Sequence, residues 1–217
     1  MSATRKDPDN PFVSRGGLKL RHALSHFALD PRGLACADLG CSTGGFTDCL
    51  LQAGAQHVVS IDTAYGEFAW KLRNDPRVTL RERANALHAT PIEGGVDLVV
   101  IDLGWTPQRL VVPAALKWLR PDGRIITLVK PHYELKDHGE ELPRGGVLAP
   151  ELAESVLTRV IEKMPSLHAE VLIVVESPIL GGKAGKNSGG TGNREWLVLL
   201  KKASGTGQWA SEQAARR

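Results

Sequence analysis

The segment Asp38-Leu-Gly-Cys-Ser-Thr-Gly-Gly-Phe-Thr47 constrains this chain most, because it follows a short apolar run and opens into a helical pattern. A strand, a glycine-rich turn and a helix, in that order, make the place where doubly wound α/β sheets hold nucleoside ligands. The glycines fall at Gly40, Gly44 and Gly45, a G-x-x-x-G-G spacing and not G-x-G-x-x-G. The glycine that lets a pyrophosphate approach the backbone is missing, so a nucleoside ligand without phosphates fits better. S-adenosylmethionine is such a molecule: its ribose asks for an acidic partner, and its methionine end for exposed backbone groups around a tight turn. Asp62 supplies the acid, closing the apolar run Val58-Val-Ser-Ile61 about 20 residues beyond the loop, where a second parallel strand ends. A dinucleotide enzyme shares that carboxylate, so the glycine spacing carries the distinction.

Apolar runs and helical patterns alternate along the rest of the chain. Residues 35–40, 57–61, 77–81, 96–101 and 124–129 read as strands, and a helix starts at Leu18 with Leu20, Ala23, Leu24 and Phe27 on one face. Helices are expected over 45–53, 66–73, 108–119, stopped by Pro121-Asp-Gly123, and about 150–163. Strands 169–176 and 195–200 follow without a helix between them, which predicts an antiparallel hairpin. The expected architecture is a Rossmann-like α/β fold with a mostly parallel seven-stranded sheet and that hairpin at its end. One domain over residues 12–203 is expected, with flexible segments at 1–11 and 204–217.

The 217 residues contain no apolar stretch long enough for a membrane span and no apolar leader, so a cytoplasmic protein is expected. Cys36, Cys41 and Cys49 lack C-x-x-C spacing and are read as reduced packing residues, with no metal site. A net charge of +3 permits RNA as a partner without requiring it. Arg15, Lys19, Arg21 and Arg32 gather before the glycine loop, and Lys183, Lys186, Arg194, Lys201 and Lys202 near the end. Gly181-Gly-Lys-Ala-Gly-Lys-Asn187 has Leu180 where a phosphate loop starts with glycine, and Asn187 where magnesium needs a hydroxyl, so a nucleotide triphosphatase is rejected.

Asp102 and Lys130 end strand candidates whose carboxyl ends share one edge of a parallel sheet, where ligands bind. A lysine closing a buried strand is costly unless paired, so an ion pair that merely closes the sheet edge is the competing reading. His132 and Tyr133 follow; an aromatic there can stack on a base, with a core tyrosine and a solvent histidine as the alternative. Residues 135–149 read as a mobile loop that closes over substrate.

Taken together, Pro11-Phe-Val-Ser-Arg-Gly-Gly-Leu-Lys-Leu20, the loop 38–47, Val129-Lys-Pro131 and Gly192-Asn-Arg-Glu195 resemble the FtsJ-type RNA 2′-O-ribose methyltransferases, and among them the TlyA haemolysin-like group. The resemblance implies methyl transfer from S-adenosylmethionine to a ribose hydroxyl of RNA, with ribosomal RNA or a ribosomal subunit as partner. It places the family's Lys-Asp-Lys-Glu tetrad at Lys19, Asp102, Lys130 and Glu195. It further implies that Asp38, Gly40, Ser42, Gly44, Gly45 and Phe46 form the cofactor loop, that Asp62 takes the ribose, and that Asp102 reaches the methionine amine. Glu82 and Asn85 are expected to meet adenine polar atoms, with a turn or cap as the alternative role. Asp102 is followed by Leu103-Gly-Trp105, where the TlyA pattern has Ser-Phe after its first residue, so a different wall beside the acceptor ribose is expected. The small N-terminal RNA-binding domain usual in that group does not precede the motif, which implies weak RNA affinity or a partner that supplies it. A methyltransferase for a small molecule or protein, and a non-catalytic RNA- or ribosome-binding protein, are the other classes compatible with the fold.

Overall fold

The computed structural model describes residues 10–182 and 192–203. Most of the two tails expected to be flexible, and Lys183, Lys186 and Asn187 of the Gly-rich stretch, lie outside the described residues. The strands are β1 (Ala35–Leu39), β2 (His57–Ile61), β3 (Val78–Arg81), β4 (Val96–Ile101), β5 (Leu119–Val129), β6 (Ala169–Glu176) and β7 (Trp196–Lys202). The helices are α1 (Gly16–His26), α2 (Gly45–Gln52), α3 (Trp70–Arg73), α4 (Gln108–Leu116), α5 (Pro131–Glu134) and α6 (Pro150–Lys163). Seven strands form one sheet in the order β3-β2-β1-β4-β5-β7-β6. The first five are parallel, and β7 runs antiparallel to both β5 and β6. The late strands therefore do more than pair with each other, because β7 inserts between β5 and β6 and carries its first residues to the sheet's ligand edge.

Period-two alternation distributes the core. Ala37, Leu39, Val99 and Ile101 face a layer containing Val111 and Val112 of α4 and Val156 and Val160 of α6. Cys36, Val58, Leu98 and Val100 face the opposite layer, where Leu20 and Leu24 of α1 and Leu50 of α2 pack. Burial of side chains this size contributes about 1.5–3 kcal/mol each. All three cysteines are free and buried, and burial pushes the Cys36 and Cys49 thiols up to about 12, which leaves them unreactive packing residues.

Two elements differ from the sequence expectation. The helix expected over 66–73 shrinks to the single turn Trp70–Arg73, because Gly66 sits at φ +77° and its N–H is held by Glu82. Further on, α4 ends at Leu116, and Pro121-Asp122-Gly123 is a bulge inside β5 and not the helix stop. The register passes from Val96↔Leu119 to Leu98↔Arg124, so the tripeptide arches out of the ladder, where proline's missing N–H costs nothing.

β1 lies between β2 and β4, so the chain leaves it first toward one edge and later returns on the other side. That reversal opens a crevice at the carboxyl ends of β1 and β4, the general ligand position of such sheets. Leu39 is level with both Ile61 and Ile101, so Asp62 and Asp102 emerge on the two sides of the turn that follows Leu39.

Candidate active site

The turn after β1 is built by glycines that no other residue replaces without strain. Gly40 has φ +93°, and a Cβ there would lie 2.6 Å from the Asp102 carbonyl oxygen. Gly44 caps α2 at φ +98° and packs on Phe68 and Leu72. At Gly45 a Cβ would collide with Ser14 Oγ and stand 3.0 Å from the Gly17 amide, so this glycine lets the start of α1 close on the start of α2. That contact places Lys19. Gly45→Ala is expected to destabilise the protein by about 1–3 kcal/mol through overpacking, lowering Tm by roughly 2–4 °C per kcal/mol. A thermal melt coinciding with the wild type would disprove the packing role.

Two cavities meet at this turn. The smaller, about 340 Å³, is lined by Ile61, Asp62, Asn85, Ala86, Leu87 and Leu103, and shares Gly40, Ser42 and Asp102 with its neighbour. The larger, about 630 Å³, is lined by Arg15, Lys19, Phe46, Lys130, Ile179 and Leu180 among others. Asp62 accepts the Ser42 N–H on one oxygen at 2.7 Å and the Ala64 N–H on the other at 2.8 Å. Each oxygen keeps a lone pair for a hydroxyl. Asn85 accepts the Leu87 N–H through its Oδ1, which turns the chain, and it lines the smaller cavity.

The tetrad residues come together as two ion pairs. Lys130 Nζ lies 2.5 Å from Asp102 Oδ1 and donates to the Leu103 carbonyl at 3.1 Å. Lys19 Nζ donates to Glu195 Oε2 at 2.5 Å. Burial alone would lower the Lys130 pKa, but the Asp102 charge and hydrogen bond, aided by Glu195 and Tyr133, outweigh it and hold it above the ordinary lysine value. Lys130 is thus a cation in this geometry. The pairs differ in solvent access: Glu195 is 3 % exposed and Asp102 25 %. Gly181 presses on the Glu195 carboxylate, where a Cβ would overlap it, and pairs with Asn193 across a two-bond bridge.

Other residues take up different places. Asp38 is fully buried behind the turn, donated to by Thr47 Oγ1 at 2.6 Å, and Thr47 also meets Ser60. Its Oδ1 has no partner, and burial first, against the Thr47 bond, lifts its carboxyl to about 7. Asp38 shapes the turn from beneath and lines neither cavity. Glu82 is clamped by both guanidinium nitrogens of Arg73 and by Gly66 N–H, so it organises the loop after β2 and also lines neither cavity.

His132 is half-buried and not a solvent histidine; its Nδ1 has no partner, and burial followed by the Lys130 and Lys19 charges pushes it down to about 4. Tyr133 stacks against Trp105 with ring centroids 4.3 Å apart, and Trp105 is 67 % exposed at φ +54°. A bulky residue in the left-handed region stores roughly 1–3 kcal/mol, a strain that collects at functional sites. The loop 135–149 is anchored: Asn193 accepts the Leu148 N–H and donates to the Gly146 carbonyl. Arg194 and Lys201, two of the basic residues gathered near the end of the chain, are held by Glu154, Glu176 and Glu170.

The FtsJ-like methyltransferase profile matches residues 12–202. This chain belongs to the FtsJ-like methyltransferase family. It is 41% identical over 197 residues to the 16S/23S rRNA (cytidine-2′-O)-methyltransferase TlyA of Mycobacterium tuberculosis, covering 90% of this chain and 70% of that protein. It is 32% identical to hemolysin A of Brachyspira hyodysenteriae, over 89% of this chain and 81% of that one. A hemolysin-like protein of Streptococcus thermophilus superposes with a TM-score of 0.81 at 36% identity, covering 92% of this chain and 70% of the other. As an FtsJ-like protein the chain is an S-adenosylmethionine-dependent methyltransferase.

The site fits that cofactor. The Asp62 carboxylate, bonded to the Ser42 amide at the glycine turn, disfavours a pyrophosphate there and suits a ligand whose ribose hydroxyls donate to it. Asp62 and Asn85 would hold the nucleoside, and the backbone of Gly40–Ser42 the amino-acid end. No helix among the described residues is long and apolar enough to cross a membrane, and among them no group of three His, Cys, Asp or Glu residues could hold a metal ion.

Proposed function

We propose that this FtsJ-like methyltransferase methylates a ribose 2′-hydroxyl of RNA, with ribosomal RNA as substrate, as the name of its mycobacterial relative states for that protein. The observation that carries the reading is the Lys130–Asp102 pair at 2.5 Å, standing in the larger cavity beside the wall of the smaller one. S-adenosylmethionine, when bound, supplies a methyl carbon already activated by its sulfonium for in-line displacement. The side chains must then align a hydroxyl oxygen and take one proton. Lys130 as a cation donates a hydrogen bond to the acceptor oxygen and lowers the cost of charge developing there. Asp102, in contact with Lys130 and lining both cavities, is the carboxylate that takes the hydroxyl proton as the new C–O bond forms. Lys19, fixed by Glu195, faces the same cavity and holds the ribose or its phosphate. Trp105, largely exposed and backed by the tilted Tyr133 ring, offers an aromatic face for a nucleobase, and stacking of that kind is worth about 1–3 kcal/mol per base.

The test is chemical. RNA methylated by the protein, digested to nucleosides, should carry the label on a 2′-oxygen. A methyl on a base would reject the assignment, and methylation of only a small metabolite would hand the site to another acceptor. RNA binding should weaken with salt as cations on phosphates release counterions, while cofactor affinity stays level. Because Arg194 and Lys201 are already paired, the salt slope should be shallower than the count of basic residues suggests.

A further inference from the structure

Glu134 lies one turn beyond Lys130 and is 3 % exposed, yet no step of the reaction uses it. Its Oε1 accepts the backbone N–H of Gln108, the first residue of α4, at 3.0 Å, so a carboxylate from α5 caps another helix. Gln108 is itself buried: its side-chain oxygen accepts from Thr127 Oγ1 at 2.8 Å and its amide donates to the Leu128 carbonyl at 3.4 Å. Thr127 and Leu128 lead directly into Lys130. A second tie, Arg109 to Asp137 at 2.5 Å, runs parallel on the solvent side. The segment between β4 and α4 carries Asp102 and Trp105; the segment from β5 into α5 carries Lys130 and Tyr133. The two segments touch in the site through the Asp102–Lys130 pair and the Trp105–Tyr133 stack, and are tied behind it through Glu134.

We propose that Glu134 is a positioning residue for methyl transfer: its carboxylate locks the Asp102–Trp105 segment to the Lys130–Tyr133 segment, so that the lysine pair and the aromatic wall keep one geometry. Its use in catalysis rests on the ribose reading; the lock itself rests on the geometry alone. The groups facing Glu134 are Asp137 on its own side, Arg109 of α4 and Lys163 of α6, around a cavity of about 20 Å³ with Val160 and Leu167. Burial first lifts its carboxyl to about 7, opposed by the Gln108 N–H and reinforced by Asp137, with Lys163 and Arg109 acting against the rise.

The lock therefore tightens as Glu134 ionises through neutral pH, since a charged acceptor holds the Gln108 N–H more strongly. Stability runs the other way. The folded protein binds a proton that the unfolded one has lost between about 4.5 and 7, so the Glu134 contribution to stability falls as pH rises across that window. A merely structural carboxyl would make activity follow stability; a positioning carboxylate makes them diverge.

The experiment uses the full chain with 5-fluorotryptophan, the Trp105 resonance being assigned by Trp105→Phe. In the wild type, that resonance and kcat on RNA should titrate together near pH 7, while Tm declines from about pH 4.5 to 7 and levels off above it. In Glu134→Gln both titrations should vanish, with S-adenosylmethionine affinity kept and kcat lowered roughly ten- to hundredfold, the scale of a misplacement near 1 Å. Glu134→Asp, which keeps the charge, should restore the titration if the glutamine variant folds poorly. A Trp105 resonance indifferent to pH and to both substitutions overturns the lock. A titrating resonance in a protein that does not methylate RNA upholds the lock and rejects the ribose reading instead.

Discussion

Lys130→Ala should abolish methyl transfer, by about 10³-fold or more, since it removes the donor to the acceptor oxygen and the partner that fixes the Asp102 carboxylate beside it. Affinity for S-adenosylmethionine should stay close to the wild-type value, because Lys130 lines the larger cavity and not the nucleoside side. The fold should survive. Asp102, 25 % exposed, keeps access to water when its partner is lost, unlike a fully buried charge, whose isolation costs about 3–5 kcal/mol. The same argument warns against Lys19 as the diagnostic position: its removal strands Glu195 at 3 % exposure and damages the protein before it reports on chemistry. Lys130→Arg should not rescue the rate, since a planar guanidinium cannot reproduce the single-point contact of Nζ with Asp102 Oδ1 and the Leu103 carbonyl. Isothermal calorimetry with the cofactor and single-turnover methylation decide the case. Loss of cofactor binding or of the folded state in Lys130→Ala would leave Lys130 as an ion-pair partner that merely closes the sheet edge.

Asp62→Ala should weaken S-adenosylmethionine by roughly two orders of magnitude, the equivalent of about 3 kcal/mol for hydrogen bonds to a charged acceptor. The loss has two sources. One is the ribose hydroxyls; the other is the turn itself, since Asp62 holds the amides of Ser42 and Ala64 at 2.7 and 2.8 Å. Asp62→Asn separates them by keeping an acceptor for one amide while losing the charge, and should fall between wild type and alanine. Calorimetry giving wild-type affinity for Asp62→Ala would remove Asp62 from the cofactor site.

Local pattern carried the strands well, because a buried parallel strand must be a short apolar run whatever surrounds it. The run at 96–101 matches β4 and the one at 57–61 matches β2. Where a local signal had two solutions, tertiary context chose. Pro121-Asp122-Gly123 reads as a helix stop, but the ladder between β4 and β5 absorbs it as a bulge. Glu82 reads as an adenine contact by its place after β3, yet Arg73, nine residues earlier, claims both its oxygens.

Residue types at strand ends were enough to single out Lys130, Asp102 and Asp62, because a charge that closes a buried run needs a reason. Pairing was another matter. Lys19 meets Glu195 across 176 positions, and Asn193 meets Leu148 across 45, so neither contact leaves a periodic or spacing signal. The departure at Leu103-Gly-Trp105 was visible as an oddity of sequence, but its stack on Tyr133 exists only because β4 and β5 are neighbours. The sequence by itself determined the sheet, the glycine turn and the charged residues at its edge, since each follows from local sterics and the cost of burying charge. Only the tertiary structure decided that Lys130 is a cation, that Asp38 lies beneath the turn, and that Glu134 ties two segments together, because each depends on which distant groups share a low-dielectric space.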